Sequence, residues 1–134
     1  MKLRRKPTRW TRPKGLTLIE LTVVILVLLA LISVLFIGGR AWKRGSDRAG
    51  CIMNIRNAQQ AVRSYQNLRG LNDGVAFDFG VDVVGPGNFI ETYPSCPGYG
   101  TYTPSPTIPN LGTLAITCSL AGSEDHVPED YSGW

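Results

Sequence analysis

From Leu16 to Ile37 the chain reads LTLIELTVVILVLLALISVLFI, 22 residues of which 17 are Leu, Ile, Val or Phe. As an α-helix such a run extends about 33 Å, against about 30 Å for the hydrocarbon layer of a membrane. At roughly −0.3 to −0.6 kcal/mol per apolar residue, insertion gains about 5–10 kcal/mol. One acid interrupts the run at Glu20. It costs about 2.5–3.5 kcal/mol at the bilayer centre and less near an end, so insertion wins with the carboxylate present. The run also exceeds the apolar core of a secretory signal, about 7–15 residues, and Ile37-Gly38-Gly39-Arg40-Ala41 only imitates a small-x-small cleavage site. An ordinary soluble globule and an ordinary signal peptide are both disfavoured.

Charge is distributed unevenly along the 134 residues. Residues 1–15 hold seven of the 14 basic side chains (Lys2, Arg4, Arg5, Lys6, Arg9, Arg12 and Lys14) and no acid. The remaining seven basic residues face all ten acids, so the formal charge of +4 belongs to the first segment and the rest is acidic by three. Seven positive charges precede the span and four follow it closely (Arg40, Lys43, Arg44, Arg48). That excess predicts a cytoplasmic N-terminus and a translocated C-terminal body.

Beyond the span, Cys51, Ile55, Ala58, Val62 and Tyr65 recur at helical spacing, with Arg56, Asn57, Gln60, Arg63 and Asn67 on the other faces. No proline lies between Pro13 and Pro86, and Gly70 follows Arg69 as a C-cap. These features predict one helix over 16–69, apolar all round in its first half and on one side in its second. Gly38-Gly39 and Gly45-Ser46 mark where it could bend, and two helices joined by a loop over 38–50 are the alternative.

Residues 70–134 carry all seven prolines beyond residue 15 and ten of the fifteen glycines, the composition of loops and short strands. Val75, Phe77, Phe79, Val81 and Val83 alternate with smaller or polar residues, which suggests a strand. Tyr99–Thr103 and Thr113–Leu120 flank the Pro-rich connection PSPTIPNLG and read as an antiparallel hairpin. Its face of Leu114, Ile116, Cys118 and Leu120 covers the helix stripe. If Thr103 faces residues 111–112, Cys118 lies opposite residue 96 or 97. Cys96 and Cys118 are therefore a candidate disulfide, with Cys51 buried and unpaired on the helix; three pairings of the three cysteines are open. The fold expected is α+β. Its parts are a basic leader (1–15), a transmembrane helix (16–37), its amphipathic continuation (38–69) and a small loop-rich β head (70–134).

The junction Lys14-Gly15-Leu16-Thr17-Leu18-Ile19-Glu20-Leu21-Thr22-Val23-Val24-Ile25 resembles the type IV pilin-like family, which includes the pseudopilins of type II secretion. A short basic leader ends in Gly, and an acid stands at a fixed offset inside a long apolar helix. Leu16 departs from the pattern, where the family usually has Phe. The resemblance implies cleavage between Gly15 and Leu16 by a prepilin peptidase and N-methylation of Leu16. It further implies polymerisation into a fibre of parallel helices, together with an assembly platform and other pseudopilins. A glycine suits the cleavage site, since a residue without Cβ lets a protease approach an extended backbone. Glu20 would lie about 6 Å along the helix axis from Leu16. In a bundle of neighbours it would be shielded from water, and a buried carboxylate is tolerable only when paired. The cation at hand is the α-amine of Leu16 on an adjacent subunit. The segment CPGYGTYT…GTLAITCSL also resembles the C-terminal part of short pseudopilin-like proteins.

No catalytic set emerges, and no cofactor is expected. His126 with Cys51, Cys96 and Cys118 invites a zinc reading, but no close Cys-x-x-Cys pair supports it. Calcium in the head, through Asp125, Glu129 and Asp130, is implied by the resemblance, yet no Asp-x-Asp-x-Asp-Gly loop is present. A solvated acidic tail is the simpler reading of SEDHVPEDYSGW. A nucleophilic serine lacks an elbow motif. The basic leader sits beside a membrane span, so topology and peptidase recognition account for it and no nucleic acid partner is expected. The resemblance therefore implies a non-enzymatic pseudopilin, anchored in a bacterial inner membrane with its head in the periplasm. The alternatives are a minor type IV pilin or DNA-uptake pilin, and an uncleaved, signal-anchored periplasmic binding module.

Overall fold

The computed structural model describes residues 15–134; the basic leader up to Lys14 lies outside the described residues. The protein is α+β, with one long N-terminal helix and a small two-stranded antiparallel sheet. Two compact units divide after Gly38.

Helix α1 (Leu18–Arg69) is helical throughout, including Gly38-Gly39 and Gly45-Ser46. In the first unit every residue from Leu16 to Ile37 is exposed, and this part of the helix is long and apolar enough to cross a membrane. Its hydroxyls are satisfied internally. Thr22 donates to the Ile19 carbonyl and Ser33 to the Leu29 carbonyl, each at 2.8 Å, which is what polar side chains in an apolar helix require.

In the second unit α1 turns amphipathic, and the stripe expected from spacing is buried: Cys51, Ile55, Ala58 and Val62, joined by Gln59 and Ala61. Tyr65 packs against the same core from its edge. The helix closes with Gly70 in the left-handed region (φ 63°). The Gly70 N–H donates to Asn67 O (3.3 Å) and the Leu71 N–H to Gln66 O (3.0 Å), the two bonds of a Schellman stop.

The segment after the helix departs from the expected strand. Phe79–Val83 forms a π-helical turn, closed by Val84 N–H donating to Phe79 O at 3.1 Å. Asp78 drives it. Its Oδ1 accepts from Gly80 N–H (2.9 Å) and Val81 N–H (3.3 Å), while its own N–H donates to Asp82 Oδ2 (2.8 Å). An aspartate whose side chain captures the next N–H groups competes with a strand ladder. Phe79 and Val83 are buried four residues apart, whereas Val81, which a strand would have placed beside them, is 72% exposed.

Strands β1 (Tyr102–Pro104) and β2 (Ile116–Cys118) pair antiparallel, Tyr102 opposite Cys118 and Pro104 opposite Ile116. Both strands are shorter than expected, and the register places Cys118 opposite Tyr102 instead of residue 96 or 97. The eleven residues between the strands, 105–115, run as a loop. Its Ile108 is buried, and its backbone bonds back to the 74–77 segment through Gly74 N–H to Ile108 O (2.9 Å) and Ile108 N–H to Val75 O (2.8 Å). The buried residues Ile116 and Cys118 close over the helix stripe, and Ala115, Ile108, Phe79 and Val83 complete the core.

Residues 123–134 are not the freely solvated tail expected from their acids. His126 is fully buried and Pro128 is buried. Trp134 packs on the core, its ring under the Arg56 guanidinium at 5.4 Å and its carbonyl accepting from Arg63 Nη2 at 3.0 Å. The carboxylates stay at the surface while the apolar and imidazole side chains between them turn inward.

Candidate functional site

Two places hold the side chains that the sequence singled out. The first is the start of α1. Thr17 and Glu20 stand as N-cap and third helical residue, the spacing of a capping box. Glu20 N–H donates to Thr17 Oγ1 at 3.4 Å, and the Glu20 carboxylate accepts from Thr17 N–H at 3.4 Å and from Thr17 Oγ1 at 3.5 Å. These contacts lie at the long edge of hydrogen-bond geometry, where bonds are weak. The carboxylate is favourably placed against the positive end of the helix dipole, but among the described residues it has no cationic partner. Gly15 and Leu16 precede the helix in non-helical conformation, and Leu16 is 72% exposed. Sequence reasoning gave Glu20 an intermolecular role and overlooked this local one, although Thr17-x-x-Glu20 was visible.

The second place lies inside the head. Cys51 comes from α1, Cys96 from the turn before β1, Cys118 from the end of β2 and His126 from the C-terminal segment. The three sulfurs and one ring nitrogen of His126 all lie within 4.8 Å of one another, and all four residues are buried. Cys96 Sγ is 3.8 Å from Cys118 Sγ and 3.4 Å from His126 Nδ1. The cysteines are free thiols in this structure. Cys96 and Cys118 are thus neighbours as the sequence suggested, but by a different route: the chain reverses at Pro97-Gly98, where Tyr99 N–H donates to Cys96 O at 3.1 Å and Tyr99 takes φ 65°. Cys51 is not isolated on its helix face; it belongs to the same group.

The surroundings of the cluster are polar in a specific sense. Burial pushes the Cys96 thiol up, but backbone N–H groups of Gly100 and Gly98 together with His126 and Cys51 outweigh it and hold the thiol at about 7. Burial pushes the Cys51 thiol up to about 12, opposed by the Tyr102 hydroxyl, which donates to Cys51 Sγ at 3.2 Å. The Cys96–Gly100 turn wraps the group closely. A Cβ on Gly98 would stand 2.7 Å from His126 Cε1, and one on Gly100 would stand 2.7 Å from Cys118 Sγ. The outer ring nitrogen, His126 Nε2, is buried without a hydrogen-bond partner, with Glu124 Oε2 at 3.7 Å.

The acidic residues offered for calcium lie at the surface with these contacts. Asp125 pairs with Arg48 at 2.6 Å and its carbonyl accepts from Arg48 Nε at 2.8 Å, Glu129 approaches the same guanidinium at 3.9 Å, and Asp130 closes a turn onto Ser132. The chain matches no protein-family profile, and no curated protein or solved structure is significantly similar to it.

Proposed function

We propose that this protein is a structural subunit of a periplasmic pseudopilus of a type II secretion system, cleaved between Gly15 and Leu16 and polymerised through its N-terminal helix. The observation that carries the reading is the pairing of two features in one helix. Leu16–Ile37 presents apolar side chains on all sides with none buried, and the one charge in that stretch, Glu20, has only weak contacts among the described residues. An apolar surface exposed all round needs lipid or other helices. A carboxylate shielded among such helices needs a cation. A second copy freed of its leader supplies both, through its own apolar helix and the α-amine of its Leu16.

Lateral association would transfer the helix from lipid to a bundle of its own kind, where packing and the Glu20–amine pair set the axial stagger. The head needs no chemistry of its own in this mechanism. The membrane orientation, with the head in the periplasm of an inner-membrane-anchored subunit, follows from the basic excess before the span. Intact-mass analysis of the chain, expressed with and without an active prepilin peptidase, tests the reading. The expected product begins at methylated Leu16 only when the peptidase is active; a chain that keeps Met1 in both strains would overturn the reading in favour of an uncleaved anchor.

A further inference from the structure

Four soft or borderline donors converging in a dry interior from four separate segments is an expensive arrangement unless something binds them together. We propose that Cys51, Cys96, Cys118 and His126 form a closed structural zinc site in the head, with three sulfur ligands and His126 Nδ1 as the fourth. The inference does not rest on the fibre reading, because it concerns only how the head holds itself together.

The spacing of the donors carries the argument. Zinc–sulfur bonds of about 2.3 Å and zinc–nitrogen bonds of about 2.0–2.1 Å at tetrahedral angles separate two sulfurs by about 3.8 Å and a sulfur from a nitrogen by about 3.6 Å. The observed separations are 3.8 Å for Cys96 Sγ to Cys118 Sγ and 3.4 Å for Cys96 Sγ to His126 Nδ1, with no pair of donors beyond 4.8 Å. A disulfide between Cys96 and Cys118 would use two of these groups and leave no reason for a third thiol and an imidazole to face them. Thiolate-rich tetrahedral sites select zinc among the common divalent ions, and four protein donors with no open position define a structural and not a catalytic site.

The outer shell agrees. A metal-bound imidazole carries its proton on the other nitrogen and donates it outward, usually to a carboxylate. Here that nitrogen is buried and unpartnered, with the Glu124 carboxylate 3.7 Å away. The Tyr102 hydroxyl donates to Cys51 Sγ at 3.2 Å, and the glycines at 98 and 100 leave no room for a side chain between the turn and the cluster. On binding, the three thiols release their protons to solvent and the neutral imidazole keeps its own on Nε2.

The test uses the full chain, purified in detergent, reduced and freed of metal, then titrated anaerobically with Co2+ and separately with Zn2+. We expect about one ion per chain, the visible bands and sulfur-to-metal charge transfer of tetrahedral cobalt–thiolate, and a zinc X-ray absorption spectrum fitted by three sulfurs and one nitrogen. Cys118→Ser should abolish the charge-transfer intensity contributed by that sulfur. Glu124→Gln, at an exposed position, should weaken retention about 10–100-fold without unfolding the head. A folded, fully reduced wild-type chain that takes up neither ion overturns the proposal, as does zinc bound with no sulfur in its coordination shell.

Discussion

Gln59 on α1 serves as the hydrogen-bonding partner of Ala115: its Oε1 accepts from the Ala115 N–H at 2.7 Å while its Nε2 donates to the Thr113 carbonyl at 3.1 Å. A helix side chain thereby supplies what a third strand would otherwise supply to the loop leading into β2. Gln59 is 3% exposed and Ala115 is fully buried, so the Ala115 N–H has no water to fall back on, whereas Thr113 lies at the surface. Each orphaned group costs about 1–3 kcal/mol. Gln59→Leu orphans one such buried group and should therefore lower the unfolding free energy of the head by about 1–3 kcal/mol in a denaturant titration followed by circular dichroism. Gln60→Ala, on the exposed face, should stay within about 0.5 kcal/mol of wild type.

Gly100 faces Cys118 Sγ so closely that a methyl group would stand 2.7 Å from it and 3.0 Å from Leu120 Cγ. The neighbours belong to the packed core and cannot withdraw without moving β2. Gly100→Ala should cost about 1–3 kcal/mol of head stability by overpacking. Gly122→Ala is the control, since open space surrounds that position and its backbone needs no left-handed angle. Equal melting curves for the two variants would contradict the packing described.

Gly70 ends α1 at φ 63° with open space around it, so only its backbone matters. A Cβ in the left-handed region costs about 1–2 kcal/mol. Gly70→Ala should lose that much in the same titration, and Gly70→Asn should recover part of it because asparagine tolerates this conformation.

Much of the helix was legible in sequence, for a physical reason. Its evidence is periodic and local: the stripe of Cys51, Ile55, Ala58 and Val62, the missing prolines and the glycine stop each report on a few adjacent residues. Gln59 escaped notice because a buried glutamine is recognisable only from the backbone it meets more than 50 residues away. The 75–84 segment misled because Phe79, Val81 and Val83 alternate as a strand would, while Asp78 captures the amides that a ladder needs. The hairpin was found but its register was not, since the loop folds back on residues 74–77 and shifts the pairing. The cysteine–histidine cluster was the hardest to read. Sequence spacing detects metal sites whose ligands come in close pairs, and here each ligand arrives from a different segment, so only the tertiary fold brings them together.

The charge on Glu20 is the centre of the account, and it can be removed with little change to the helix start, because glutamine serves equally at the third position of a capping box. The decisive measurement is the share of mature protein recovered in sheared, pelleted filaments for wild type and for Glu20→Gln, each verified by mass to begin at Leu16. The account predicts wild-type filaments and little or no polymer from the variant at the same protein level, because a loss of about 1.4 kcal/mol at the subunit contact raises the concentration needed for assembly about tenfold. Equal yields of filament from the two chains would contradict it.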